Sequence, residues 1–234
     1  MVCIAMDLSI IFILLTGLGL GLGHSLDPDH VVAVSTLLCN NKSLRKSITS
    51  ATIWGISHSA VLFIIGLLVL TLSVVIPQSI LKLFDCAAGI LLIILGALVL
   101  RPLIIERISP NKIVGPEHIH FHSHSHSTDY NHYHDHGHAQ LQKSAVTGAL
   151  QGLGGSAALM LVTVSTVNSV LMGSIFIFLF GVGVILGMVG IACLVGSVMA
   201  YTALNLEKMH KIIKAVTGSA SIVFGIVIII YALI

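Results

Sequence analysis

Long apolar segments, separated by short polar ones, make up most of the chain. Six of them are predicted to cross a membrane, at about 8–38, 48–76, 79–101, 143–164, 169–201 and 210–234. Each reaches or exceeds the roughly 20 residues that a helix needs to cross about 30 Å of hydrocarbon. The pattern therefore predicts an all-α polytopic membrane protein with six transmembrane helices, the first of which is long enough to need a tilt or a break.

Composition agrees with a membrane protein, and the basic residues indicate its orientation. Hydrophobic residues make up 56% of the chain and charged residues 9%, a balance that soluble domains do not show. Of the 11 lysines and arginines, ten follow the first, third and fifth spans, and only Lys82 lies on the other side. The positive-inside rule then predicts a plasma-membrane protein with those connections in the cytoplasm and both termini outside. Because no basic region precedes the first span, we expect that span to be retained rather than cleaved as a signal peptide.

A long polar insertion at about 102–142 divides the chain into two transmembrane halves, 1–101 and 143–234. Ser, Asp, Asn and Gly between its histidines leave nothing to bury, so we expect a disordered cytoplasmic loop. Neutral imidazole is the commonest metal ligand in proteins. The loop is therefore a candidate metal buffer or sensor, with a solvated linker that merely happens to bind metal as the alternative. Its nine histidines are His118, His120, His122, His124, His126, His132, His134, His136 and His138.

The two halves carry traces of a duplication. The segment around His24 can be aligned with that around Gln151, which places Gln151 at the His24 position and Ser156 at the Asp29 position. If each half has three spans, the halves must enter the membrane in opposite senses, which predicts the 3+3 inverted repeat of many secondary transporters. A lysine and two glycines also recur at seven-residue spacing in the third and sixth spans, as Lys82, Gly89, Gly96 and Lys211, Gly218, Gly225.

The first span contains the polar sequence HSLDPDH, which holds His24, Asp27, Asp29 and His30. An ionisable residue at the centre of a span costs roughly 2.5 to 3.5 kcal/mol on insertion scales, so four of them indicate a function. Pro28 has no N–H and its ring clashes with the carbonyl of His24. We therefore predict a broken helix whose second half begins at Pro28 and is capped by Asp27. The break should bring His24, Asp29 and His30 together and leave the His24 carbonyl free.

Imidazole combined with carboxylate is a donor set that suits first-row divalent cations, so nickel and cobalt fit well, with zinc and manganese as alternatives. His58 in the second span is a further candidate ligand, and Ser57 and Ser59 beside it are candidates for fixing its tautomer. Other candidates for supporting contacts or for the ion path are Asp85, Gln151 and Ser156.

Structural roles are the alternatives for most of these residues. Asp27 could act only as a helix cap, His58 only as a hydrogen-bonding group between helices, and Asp85 as an interfacial anchor near Lys82. Trp54 is expected to be an interfacial anchor near the cytoplasmic end of the second span. Small residues should instead permit close helix packing in the GLGGSAA stretch and at Gly181, Gly183, Gly187 and Gly190 of the fifth span.

These motifs resemble those of a known family. HSLDPDHVVAV resembles the H-x-x-D-x-D-H signature of the nickel/cobalt transporter family, and GISHSAV resembles its second histidine-bearing motif. The six-span layout and the GLQGLGGSAAL-like text that opens the second half are similar to the urease-accessory and hydrogenase-accessory nickel permeases. The histidine-rich loop is similar to that of the nickel/cobalt efflux branch. The resemblance implies metal-handling roles for His24, Asp27, Asp29, His30 and His58, and a nickel or cobalt substrate.

The predicted function is a secondary transporter or permease that takes up Ni²⁺, or Co²⁺, with efflux as the alternative. No GxxxxGK[ST] loop occurs, so the chain does not hydrolyse ATP by that route. An intramembrane zinc metalloenzyme and a metal sensor are the other classes, and the absence of HExxH argues against the first. We expect no enzymatic activity and no cofactor apart from the transported ion. The expected partners are that ion, the lipid bilayer and a cytoplasmic metallochaperone, without nucleic acid, and the oligomeric state is left open.

Overall fold

The computed structural model describes residues 15–41, 43–72, 76–108, 137–152, 154 and 169–234. These ranges form helices and contain no strand, which confirms the all-α prediction. The helices are residues 15–24 (α1), Pro28–Leu38 (α2), Leu44–Leu72 (α3), Gln78–Ile108 (α4), Gly137–Gln151 (α5), Val170–Asn205 (α6) and Glu207–Leu233 (α7).

Four of these helices, α3, α4, α6 and α7, are long and apolar enough to cross a membrane. They correspond to the second, third, fifth and sixth predicted spans and support an integral membrane protein. The first predicted span is represented by α1 and α2, and the fourth begins with α5. Since 8–14 and 155–164 lie outside the described residues, the count of six spans stays a prediction.

The flanks of the predicted polar loop are helical. Helix α4 continues past Arg101 to Ile108, and α5 begins at Gly137 rather than near Lys143. The hydropathy pattern did not predict the extension of α4, because the extension carries charged, exposed residues. One of them, Glu106, pairs with Lys211 of α7 at 2.7 Å. The rest of the loop, including His118 to His136, lies outside the described residues, and His138 is placed only by its backbone, in the first turn of α5.

Helices α4 and α7 pack through the glycines that repeat in the sequence. A Cβ added at Gly89 would lie 2.7 Å from the Gly225 carbonyl oxygen, and one added at Gly96 would meet the Gly218 carbonyl oxygen at 2.5 Å. In the repeated spacing, Gly89 corresponds to Gly218 and Gly96 corresponds to Gly225. The two contacts therefore exchange equivalent positions, which is what a two-fold axis produces. The geometry of this pair supports an inverted repeat, although the full 3+3 repeat stays a prediction.

Helix α6 packs closely against its neighbours through small residues, as predicted for three of its four glycines. An added side chain would overlap a neighbouring residue at Gly181 against Ser59, at Gly183 against Leu18 and at Gly187 against Ser25. The prediction is wrong for Gly190, where no heavy atom of the described chain lies within 4 Å of an added Cβ. These contacts bring α6 against α3 and α1 and enclose the core on one side.

The predicted helix break is present. Helix α1 ends at His24 and α2 begins at Pro28, with Asp27 at the N-cap in an extended conformation, φ −57° and ψ 138°, that is favoured before proline. The Asp27 side chain makes no capping bond to the described helix, so that part of the prediction is wrong. The His24 carbonyl is not free either, since it accepts the Asp27 N–H at 3.0 Å.

Candidate metal centre

The imidazoles of His24, His30 and His58 meet at the break between α1 and α2. Their residues are 8%, 1% and 0% exposed. The ring centroids lie 4.5 Å apart for His24 and His30, 5.3 Å for His24 and His58, and 5.0 Å for His30 and His58. On an unbroken helix, the first two side chains would point about 120° apart. The break therefore assembles the cluster, and α3 supplies its third ring.

Two ring nitrogens of this cluster already stand at the spacing that a shared ion requires. His24 Nε2 lies 3.2 Å from His58 Nε2. Two nitrogens that bind one ion at about 2.1 Å, with an angle of about 90 to 110° between them, lie roughly 3.0 to 3.4 Å apart. One nitrogen of His30 lies within 4.8 Å of both. The three rings can thus converge on one ion with small adjustments.

Asp27 holds the His24 ring in the orientation that binding requires. Its Oδ2 lies 2.9 Å from His24 Nδ1 and accepts a hydrogen bond from it. We assign the proton to Nδ1 from this bond, which leaves the Nε2 lone pair facing His58. A carboxylate that accepts the other N–H of a metal-binding histidine fixes its tautomer and makes it a stronger ligand. In the described structure, Asp27 thus orients the His24 ring, whereas the sequence predicted a metal-handling residue or, as the alternative, only a helix cap.

His30 has a buried ring nitrogen without a partner. Its Nδ1 pairs with Asp29 Oδ2 at 2.9 Å, whereas its Nε2 has no hydrogen-bond partner among the described residues. A buried polar atom without a partner costs about 1 to 3 kcal/mol. An ion bound among Asp27, Asp29 and His30, whose ligand atoms also lie within 4.8 Å of one another, would satisfy His30.

Trp54 forms one wall of the cluster. Its indole stacks on the His58 ring, with centroids 4.9 Å apart and planes 13° apart, and the His30 ring meets it edge-on at 5.1 Å. Trp54 is 0% exposed, so the prediction of an interfacial anchor is wrong. The sequence could have predicted this contact, because Trp54 lies four residues before His58 and therefore on the same face of the helix. Phe180 of α6 lies against the His24 ring at 5.2 Å and closes another side.

Gln151, at the end of α5, connects this wall to α2. Its Oε1 accepts a hydrogen bond from Trp54 Nε1 at 3.1 Å, and its Nε2 donates to the Asp29 carbonyl at 3.3 Å. Gln151 aligns with His24 in the proposed duplication. Helix α5 ends at Gln151 and α1 ends at His24, so the two aligned residues occupy the same position in their helices. The sequence candidate Gln151 therefore lies beside the cluster.

The flanking serines do not orient His58 in the described structure. Ser59 donates to the Gly181 carbonyl on α6 at 3.1 Å. Neither Ser59 nor Ser57 bonds to the ring among the described contacts, where Nε2 of His58 faces His24. The last candidate, Ser156, lies outside the described residues, together with the histidines of the loop from His118 to His136.

A cavity of about 450 Å³ adjoins the carboxylate side of the cluster. Three carboxylates and a lysine contribute to its lining, from Asp27, Asp29, Asp85 and Lys82. Gln151 and Tyr231 also face it. The cavity therefore joins Asp85 and Gln151, both predicted as candidates for the ion path, to the two acidic residues of the HSLDPDH segment.

Comparison with known proteins agrees with this site. No protein-family model and no solved structure matches the chain. The urease accessory protein UreH of Bacillus sp. (strain TB-90) is 34% identical to it over 220 residues, which cover 94% of this chain and 91% of the relative. The match supports the resemblance to the nickel/cobalt transporter superfamily. At this identity over nearly the whole length, the chain belongs to the family of the urease accessory protein UreH.

Proposed function

We propose that the chain is a permease that carries Ni²⁺, or Co²⁺, across the membrane by way of the His24, His30 and His58 cluster. The observation that carries the proposal is the convergence of one nitrogen from each buried ring within 4.8 Å. Imidazoles together with carboxylates favour first-row divalent ions over Mg²⁺ and Ca²⁺, which prefer oxygen ligands. The name of the relative agrees with the urease-accessory branch that the sequence resembles.

Each residue of the site has a distinct role in this proposal. His24 and His58 bind the ion through Nε2, and His30 supplies the third nitrogen. Asp27 holds the tautomer of His24, and Asp29 offers a carboxylate oxygen beside His30. Unlike a closed site of four thiolates, three imidazoles leave positions for water or carboxylate, so the ion can enter and leave by exchanging ligands one at a time.

The cavity supplies the route to the cluster. Lys82 and Tyr231 lie on the side that the positive-inside rule assigns to the exterior, and both line it. A divalent cation is attracted to carboxylates in a cavity with low-dielectric walls. An ion would pass Asp85, meet Asp29 and Asp27, and then reach the imidazoles. We propose uptake along this route, with efflux as the alternative.

Helices α3 and α5 pack closely beside the cluster. An added Cβ at Gly148 would overlap the Trp54 carbonyl, and one at Gly152 would meet the His58 carbonyl at 2.8 Å. Ser50 of α3 and Ser144 of α5, one turn before these contacts, are also buried. We propose that this packing blocks the path to the cytoplasm while the cavity gives access from the other side, as alternating access around a fixed site requires.

Uptake of radioactive Ni²⁺ into vesicles of known orientation tests the proposal, with the intact chain compared with His24→Ala. We expect saturable flux for the intact chain and at least a tenfold loss for the variant. His210→Ala is a matched control, because His210 bonds to Thr202 at 3.3 Å outside the cluster, and its flux should be retained. Equal flux in the intact chain and His24→Ala would contradict the proposal.

A further inference from the structure

Gln151 joins three helices at one point beside the cluster. It is 2% exposed, lies at the end of α5, accepts from Trp54 of α3 and donates to the Asp29 carbonyl in the first turn of α2. Both ends of one amide are therefore used, and each bond reaches a different helix. A substitution at this position would leave an indole N–H without its acceptor inside the protein.

Both bonds act on residues that touch the proposed ligands. Trp54 stacks on the His58 ring and meets the His30 ring edge-on, so the position of its indole restricts both imidazoles. The Asp29 carbonyl belongs to the residue directly before His30, so its position sets the start of the helical turn that carries this ring. The Gln151 amide therefore connects the backbone beside His30 on α2 to the indole that stacks on His58 of α3.

We propose that Gln151 is a positioning residue that, together with Trp54, sets the geometry of the His30 and His58 rings and thereby the affinity of the cluster for a divalent transition ion. This inference rests on the proposed function, because it concerns the same ion. It also makes the second half of the chain part of the site, since the cluster itself comes entirely from the first half.

Trp54 provides a readout that is specific to the cluster. It is the chain's single tryptophan, and its buried indole contacts two of the rings. An open-shell ion such as Ni²⁺ quenches indole emission when it binds at contact distance. The quenching midpoint therefore reports the affinity of the cluster, and His24→Ala checks the assignment, because loss of a ligand should abolish saturable quenching.

Gln151→Met in the purified full-length chain tests the inference, because methionine keeps the side-chain length and removes both hydrogen bonds. Gln140→Met is the matched control, since Gln140 also lies on α5 and donates to a backbone carbonyl of α2, that of Leu37, at 2.9 Å. Outer partners of metal ligands typically change metal affinity by about 10- to 100-fold. We expect the quenching midpoint for Ni²⁺ to rise at least tenfold in Gln151→Met and by less than twofold in Gln140→Met.

The apparent melting temperature separates positioning from general stability. Both variants lose a bond between helices and should melt at lower temperature, but only Gln151→Met should bind Ni²⁺ more weakly. If Gln151→Met fails to fold, the same Ni²⁺ titration is done with Gln151→Asn. The shorter amide of asparagine stays polar but cannot reach both the Trp54 indole and the Asp29 carbonyl. Equal midpoints in the Gln151 and Gln140 variants would overturn this inference alone. Absence of saturable quenching in the intact chain would overturn the proposed function and this inference with it.

Discussion

At the scale of single residues, the proposed ligands could be predicted from the sequence, but most of their surroundings could not. HSLDPDH places four ionisable groups beside a proline in an apolar span, and in the structure the His30 ring lies against the His24 ring and its Nδ1 lies 2.9 Å from Asp29 Oδ2. The roles of Trp54 and Gln151 depend on which faces of α3 and α5 meet, and these two residues are 97 positions apart. No local pattern determines such a contact.

Asp27 provides the first test at this scale. Asp27→Ala removes the acceptor of the His24 Nδ1 proton, so we expect Ni²⁺ affinity to fall about 10- to 100-fold. The melting temperature of the metal-free protein should also fall by several degrees, because the buried His24 Nδ1 loses its hydrogen-bond acceptor, at a cost of about 1 to 3 kcal/mol. Titration of Trp54 emission with Ni²⁺, alongside a thermal melt, measures both. An unchanged affinity would show that the carboxylate does not orient the ring.

His30 provides a test in which stability and function change in opposite directions. In His30→Leu, an apolar side chain replaces a buried ring whose Nε2 has no hydrogen-bond partner among the described residues. Relief of about 1 to 3 kcal/mol should raise the apparent melting temperature of the metal-free protein by several degrees, at about 2 to 4 °C per kcal/mol. Ni²⁺ should raise the melting temperature of the intact chain but not that of the variant. A variant that melts lower and still responds to Ni²⁺ would contradict this account of His30.

At the scale of elements, predictions succeeded where the cause is local. Pro28 breaks the helix through its own ring and missing N–H, and the break is present at the predicted residue. The end of α4 was missed because the extension carries charged, exposed residues. Its Glu106 reaches Lys211, which also pairs with Glu207 at 2.7 Å. Such exposed ion pairs contribute little stability, but they show that the end of α4 lies beside the start of α7.

The glycine contact between α4 and α7 can be tested with one methyl group. Alanine normally stabilises a helix by about 0.5 to 1 kcal/mol relative to glycine, but a Cβ at position 96 would lie 2.5 Å from the Gly218 carbonyl oxygen. Overpacking of this kind costs about 1 to 3 kcal/mol. Thermal melts should therefore show a lower melting temperature for Gly96→Ala and an equal or higher one for Gly190→Ala, where an added Cβ meets no described atom within 4 Å. The same shift in both variants would contradict the close contact.

At the scale of the whole molecule, orientation and the two-half plan stay predictions from the sequence, whereas the proposed ion route needed the fold. The positions of basic residues predict which ends face outward, and repeated glycines predict which helices correspond. The cavity could not be predicted, because it combines residues from α2, α4, α5 and α7, including Asp29, Asp85, Gln151 and Tyr231.

The histidine-rich segment is tested by removing it while leaving α5 whole. Deletion of 118–136 should preserve Ni²⁺ flux in oriented vesicles and change only its concentration dependence, because the proposed ligands lie in α1, α2 and α3. A metal sensor that acts through this segment would instead lose its function outright. Abolished flux in a deletion variant that still folds would therefore contradict the separation between transport site and loop.

The most direct test of the central claim is the position of nickel in crystals of the loaded protein, measured by anomalous scattering at the nickel absorption edge. The account predicts a peak about 2.1 Å from one ring nitrogen each of His24, His30 and His58, next to the Trp54 indole. A map with nickel only elsewhere, and with His24 and His58 still bonded to each other across an empty cluster, would contradict it.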